Sequence, residues 1–502
     1  PTPLPQGESG EWRVASDWFG FVLQPGPPDH LEAYVDSDGN VAVGVFDKDL
    51  NPVAADVEAL EVVLPDGQTV RAALPQTAGA YGAVRLPLPA APRPGNRVTV
   101  RDTRGREVVS SPAPLRPPEG ERLLFGEFHW HTEASGDGCR PLDDAYRSAR
   151  DGLLLDYAGA SDHFPFDRGI TLRDAADVAD SFDAAERFVT LLGIELSWRM
   201  GHYNFYWADR EELELFLEAW EARRLGPLAG TALAPDIATF YGLPPGYFER
   251  AHPQRMLVIP HHPNVNSTGL TTPNGLPVWT HYGWPRGHYD PRFFRLGEIV
   301  QTRGGFETEE VDADWKVKTG AGGGSLRTAL ARGFRVGFTG GTDNHCGWPS
   351  RQTGGWVGLT GVYAPEFSRA GIMKGLYERR CYATTGVRIA LDFRLNGAPM
   401  GREVALPPDA TRRIDVRVHG TAPLERAEIV GQGAVIARLP VDGPDLVAEW
   451  TDERKTRPVH DCYYYLRVRQ VDGHCAWASP IWVDLQVPPE GPAGYGGPVA
   501  WS

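Results

Sequence analysis

Short stretches in which apolar and polar residues alternate mark both ends of this 502-residue chain, and a different rhythm fills its middle. Up to Pro118, the segments Leu31–Tyr34, Val41–Phe46, Leu60–Leu64 and Val98–Val100 follow the period of two that half-buried strands need. Asp38-Gly39, Pro65-Asp66-Gly67 and Pro94-Gly95 separate them as turns, at spacings that favour a β-sandwich. The Pro-rich stretch Pro112–Pro118 reads as a linker. From Leu123 to Gly386 short apolar strands alternate with helices. Strands are predicted at Leu123–Phe128, Leu155–Ala160, Val189–Leu196, Met256–Ile259, Leu296–Val300 and Val336–Thr339. Helices are predicted at Asp143–Asp151, Ala175–Arg187, Leu326–Arg332 and Arg369–Arg380, with Ser325 and Ser368 as N-caps of the last two. Repeated β-then-α units imply parallel strands inside a helical layer. Asp209–Arg255, helical and long for a connection, reads as an insertion. After Gly386 alternation returns at Arg388–Leu395, Arg413–Val418, Ala427–Val430, Tyr463–Gln470 and Ile481–Leu485. The expected organisation is therefore a β-sandwich-like domain at 1–118, an α/β segment at 119–387 and a second β-sandwich-like domain at 388–502, ending in a Gly/Pro-rich tail.

Composition narrows the function. The net charge of -15 and the absence of a basic run remove the electrostatic footprint of a nucleic-acid binder. No apolar run approaches the ~20 residues that span a bilayer, and no signal-peptide pattern precedes Trp12. Five scattered Cys make a disulfide framework a poor reading, with Cys462 and Cys475 expected as unlinked thiols. A reduced cytoplasmic setting is the expectation, with a small-molecule substrate, no nucleic acid, no membrane, and room for oligomerisation.

Histidine carries the chemical signal. Ten of the 14 lie between His129 and His345. Chance alone supplies roughly 0.4 His-x-His pairs in such a chain, so the pair His129 and His131 means little by itself. What matters is recurrence at strand ends. The first strand runs into His129-Trp130-His131, with Asp137 following. The second ends in Asp162-His163, and the third in Glu195, with His202 seven residues on. A later strand ends in His261-His262-Pro263, and another in Asp343-Asn344-His345. Residues at i and i+2 of an extended chain point the same way, so each His-x-His or Asp-x-His pair can reach one ion. Loops at the carboxyl ends of parallel strands converge on one face. Imidazoles and carboxylates meeting there suit Zn, Mn or Fe. Nucleotide-binding loops, serine-hydrolase elbows and Cys-x-x-Cys pairs are absent from the sequence. Gly322-Gly323-Gly324 reads as a flexible loop.

The segment His129-Trp130-His131-Thr132-Glu133-Ala134-Ser135-Gly136-Asp137-Gly138 resembles the first motif of the PHP (polymerase and histidinol phosphatase) superfamily. Ser161-Asp162-His163 resembles its second motif, and Glu195, His202, the His-Pro pair and Asp343-x-His345 follow in the family's order. Tyr382–Gly386 and Ala476–Trp482 look like a less studied branch of it. The resemblance implies a distorted (β/α)7 barrel with two or three divalent ions. One ion would take His129, His131, Glu195 and Asp343. A second would share Glu195 and add His202 and His262, favoured over His261 because it precedes Pro263. A third would take Asp137, His163 and His345. Trp130 and the insertion suggest a pocket particular to this branch. The expected reaction is hydrolysis of a phosphate ester by hydroxide bridging the ions. Arg199 and Arg303 are candidates to clamp the phosphoryl group, and Asp162 or His261 to protonate the leaving oxygen or orient a ligand. The competing readings are an amide or ester hydrolase or lyase built on the same ions, and a non-catalytic binding protein with a relict barrel.

Overall fold

The computed structural model describes the strand pair Trp12–Ala15 and Gly20–Leu23 and residues 26–485. Within that span it leaves out 57, 74–80, 167–168, 199–200, 224–236, 265–283, 285–286, 288, 318–322, 346–348, 350–356 and 454–461. Arg199, Cys346 and the Gly/Pro-rich tail therefore lie outside the described residues. The architecture is mixed α/β, with many strands and few helices.

In the N-terminal part the alternation produces two antiparallel sheets. His30–Val35, Val41–Phe46 and Val84–Leu86 form one. Thr69–Ala73, Ala59–Val63, Thr99–Asp102 and Glu107–Val109 form the other. Val41, Val43 and Val45 from the first sheet share a core with Leu60, Val62 and Val100 from the second. The Pro112–Pro118 stretch is not a solvated linker. Ala113 and Leu115 are buried, and Ala113 N–H donates to the Asn96 carbonyl.

In the middle segment the expected strands exist, but their pairing departs from an all-parallel barrel. Parallel pairing joins Arg122–Glu127, Tyr157–Ala158 and Val189–Thr190, and separately Leu296–Gln301 with Gly337–Gly340. Antiparallel pairing joins Leu192–Trp198, Gly201–Trp207 and Met256–Pro260, and sets Arg122–Glu127 against Leu359–Ala364. The reason is connection length. Only two residues separate Trp198 from Gly201, whereas a parallel crossover needs a dozen or more. Gly201–Trp207 is a strand that the hydrophobic pattern did not single out, because its aromatic run GHYNFYW is buried on both faces. The caps stand as expected: Ser325 accepts from Thr328 N–H and Ser368 from Gly371 N–H. Gly333, at φ 86°, follows the first of these helices in the left-handed conformation that glycine tolerates best. The insertion carries the helix Arg210–Ala222, and Arg255 Nε closes its base on Asp209 at 2.6 Å.

The last part is not separated from the middle by a gap in hydrogen bonding. Cys381–Thr384 pairs antiparallel with Cys475–Ala478, so one sheet runs across residue 388. A buried knot reinforces this seam. Glu307 accepts hydrogen bonds from Tyr465 Oη (2.6 Å), Arg467, Arg327 and Trp477 Nε1 (2.9 Å). Cys462 and Cys475 are not joined in a disulfide. No helix among the described residues is long and apolar enough to cross a membrane.

Candidate metal centre

The ends of these strands bring ten of the predicted side chains together. His129 and His131 leave the Arg122–Glu127 strand on one face, separated by Trp130, which turns the other way. Trp130 is fully buried, packs edge-on against Tyr146 and donates to the Glu127 carbonyl, and so is part of the core. Glu195 projects from Leu192–Trp198. His202 enters from the neighbouring strand, and His261 and His262 follow Met256–Pro260. Asp343 and His345 follow Gly337–Gly340.

Three groups of potential ligands result, with the ligating atoms of each within 4.8 Å of one another. They are His129, His131, Glu195 and Asp343; His202, His261 and His262; and His131, Asp137, His163 and His345. Glu195 is the hub. Its Oε2 lies 3.3 Å from Nε2 of His131, 3.3 Å from Nε2 of His261 and 3.6 Å from Nε2 of His129. Asp343 Oδ1 lies 3.4 Å from His131 Nε2 and 3.7 Å from His129 Nε2. Asp137 Oδ2 lies 3.1 Å from His345 Nε2 and 3.4 Å from His163 Nε2. Two ligands bound at ~2.1 Å to one ion stand about 3.0–3.5 Å apart, so these separations match a shared cation. The doubled histidine resolves into two contributors. Nε2 of His261 faces Glu195, and that of His262 lies 3.8 Å from Asp343 Oδ2.

The residues fit metal on a further count. Buried polar atoms are almost always hydrogen-bonded. Here Nε2 of His129, His131 and His261 and Oε2 of Glu195 are buried without a hydrogen-bond partner. Such atoms cost ~1–3 kcal/mol each unless something else satisfies them. The backbone is also held in unusual conformations at two ligand positions, with φ of 34° at His262 and 54° at Asp343. Non-glycine residues there cost on the order of 1–3 kcal/mol, a strain that clusters at functional sites.

The electrostatics suit cation capture. Burial pushes the Glu195 carboxyl pKa up, but His261, His202 and His163 around it outweigh burial and hold it well below the carboxylate range. Burial lowers His261 to about 3, leaving a neutral imidazole ready to ligate. Burial also lowers His345, to about 4. His163 is raised to about 10, because Glu195 and Asp137 outweigh the opposing effect of burial.

Four residues that the sequence left unassigned complete the site. Glu298 Oε1 lies 2.6 Å from Nδ1 of His129 and aims its Nε2 at the cluster. Ser135 Oγ does the same for Nδ1 of His131 at 3.0 Å. Glu127 accepts from the backbone N–H of His129 (2.8 Å) and Thr342 (3.0 Å), and burial raises its pKa to about 8. Gln301 donates to Asp343 at 2.7 Å. A carboxylate within an apolar strand was the available signal for Glu127 and Glu298. Gly341 makes room for both, since a Cβ there would stand 2.6 Å from Glu298 Oε1. Replacing Glu298 with Gln is expected to weaken metal binding by roughly 10–100-fold while leaving the fold intact, measured by titration of the apo-protein with Mn or Zn.

Asp162, a candidate acid, is occupied otherwise. It accepts from the Thr132 backbone and hydroxyl and from the Ser135 hydroxyl (2.8 Å), bracing the turn that carries the first ligands. Arg303 lies at the mouth, half-exposed, with its guanidinium on the Asp343 carboxylate. Gly324 packs so closely against the His261-His262-Pro263 turn that a Cβ would stand 2.1 Å from the Pro263 carbonyl oxygen; this end of the glycine run supports the site.

No family model matches the chain. An uncharacterized protein of Chlamydia trachomatis serovar D is 28% identical over 419 residues, covering 78% of this chain and 62% of its own length. One from Chlamydia muridarum is 27% identical over 420 residues, with the same coverage. The chain thus spans less than two thirds of these relatives. Among solved structures, a two-domain protein from Bacteroides vulgatus is described as containing a predicted PHP-like metal-dependent phosphoesterase. It aligns with a TM-score of 0.38 at 14% identity, over 74% of this chain and 97% of that one. A TM-score of that size assigns no fold.

Proposed function

We propose that this protein is a metal-dependent phosphoesterase of the PHP type, holding two or three divalent ions (Mn, Zn or Fe) and acting on a small phosphorylated substrate. The observation that carries the reading is the meeting of seven imidazoles and three carboxylates from five strand ends, with buried ligand atoms that no hydrogen bond satisfies. Divalent ions held by these residues would supply Lewis-acid charge and water of lowered pKa.

The protein's own groups do the rest. His129, His131, Glu195 and Asp343 form the most deeply buried group, and His202, His261 and His262 stand beside it. Asp137, His163 and His345 sit nearer solvent and complete the mouth. Arg303 stands half-exposed at that mouth and offsets negative charge building on phosphoryl oxygens. Neither Asp162 nor His261 delivers a proton: the first accepts three hydrogen bonds and braces the ligand-bearing turn, and the second, fully buried against Glu195, is itself one of the candidate ligands.

Elemental analysis joined to a phosphoester screen tests the proposal. Two or three ions per chain are expected, together with turnover of phosphomonoesters or phosphodiesters that chelation abolishes. Turnover confined to amides or carboxylic esters would move the chemistry from phosphorus to carbon. Purified protein that takes up no divalent ion would refute the reading.

A further inference from the structure

Ser197 stands where two of the ligand groups meet. It lies two residues beyond Glu195 on the same strand face and directly opposite His202 in the antiparallel register. Its residue surface is exposed, yet its hydroxyl turns inward. Oγ lies 3.1 Å from Glu195 Oε1, 3.2 Å from His163 Nδ1 and 3.4 Å from His202 Nδ1. Those two imidazoles belong to different groups, His163 to the one with Asp137 and His345, and His202 to the one with His261 and His262. Glu195 Oε1 faces the same two ring nitrogens, at 3.3 Å from His163 and in a hydrogen bond with His202.

We propose that Ser197 is a positioning residue that ties the His163 and His202 metal groups together. A ligating histidine is normally fixed by a hydrogen bond from its other ring nitrogen to a carboxylate, carbonyl or hydroxyl. For His129 that partner is Glu298, and for His131 it is Ser135. For His163 and His202 it is one shared pair, Glu195 Oε1 with the Ser197 hydroxyl. Ser197 Oγ–H donates to the carboxylate, and its lone pairs accept from Nδ1–H. Both rings are held by the same two oxygens, so ordering one ring fixes the oxygens that hold the other, and filling one group prepares the second. The imidazoles of the deeply buried group do not use this hydroxyl, because His129 and His131 are oriented by other residues and meet Glu195 through Oε2, the oxygen that Ser197 does not contact.

The inference rests on the metal-dependent reading, and the experiment separates the two. Apo-protein, Ser197→Ala and Ser197→Thr are titrated with Mn or Zn by calorimetry, and bound ions are counted after gel filtration. The wild type is expected to fill its weaker sites cooperatively. Ser197→Ala is expected to retain the tightest ion, lose about 10–100-fold in affinity at the others and lose their cooperativity. Ser197→Thr keeps the hydroxyl, has space for a methyl group on this exposed position and is expected to restore both. Unchanged binding in Ser197→Ala, loss of every ion together, or failure of Ser197→Thr to rescue would each overturn the role given to the hydroxyl. Wild-type protein that binds no ion would overturn the metal reading, and this inference with it.

Discussion

Glu195→Gln is expected to strip the protein of its ions and its activity together, while the fold survives. The carboxylate faces five imidazoles: His129, His131 and His261 through one oxygen, His163 and His202 through the other. An amide keeps the volume but removes the charge and turns one oxygen into an NH2 group that repels a cation. Loss of a supporting residue around a metal costs ~10–100-fold in affinity, so removal of the central ligand should exceed the upper end of that range. Metal content by emission spectroscopy and far-UV circular dichroism distinguish lost ligation from lost fold. Wild-type ion content in this variant would remove Glu195 from the centre.

Glu307 carries the second large effect, on stability. It is fully buried, and although burial raises its pKa, Arg467 and Arg327 outweigh that and hold it below the ordinary value of 4.5. A carboxylate depressed in the folded state contributes stability that is fully present above its unfolded pKa. That contribution is lost as pH falls below 4.5 and through the folded value. Glu307→Gln takes the carboxylate from Arg327, leaves Arg467 with Glu428 alone, and should cost roughly 3 kcal/mol near neutral pH, the lower end for breaking a buried pair. Urea unfolding of both proteins between pH 3 and pH 7 is the measurement. The variant should be less stable at pH 7, and the gap should narrow in acid. A gap that is constant with pH would show that packing, not charge, explains the loss. Because Glu307 joins the middle segment to Tyr465, Arg467 and Trp477, unfolding is expected to be a single transition across residue 388.

Most of the candidate ligands stand out in the sequence because they sit at or near the end of a short apolar strand, where periodicity is strong and a polar residue is conspicuous. The supporting shell was harder to see. Ser135 and Ser197 are ordinary serines in sequence, and their roles depend on contacts with Asp162, His163 and His202 that no local pattern encodes. Trp130 misled in the opposite direction: a tryptophan between two ligands suggested a pocket wall, but alternation along the strand turns it into the core.

Residue order alone determined many of the strand segments, the two caps and the recurrence of histidine and carboxylate near strand ends, since each follows from local periodicity and side-chain chemistry. Strand direction, the sheet that runs across residue 388, the partners of Glu195 and the placement of both His261 and His262 beside the cluster were decided only by the tertiary structure. These depend on distances between residues far apart in the chain, set by how sheets pack and where tight turns leave no length for a crossover.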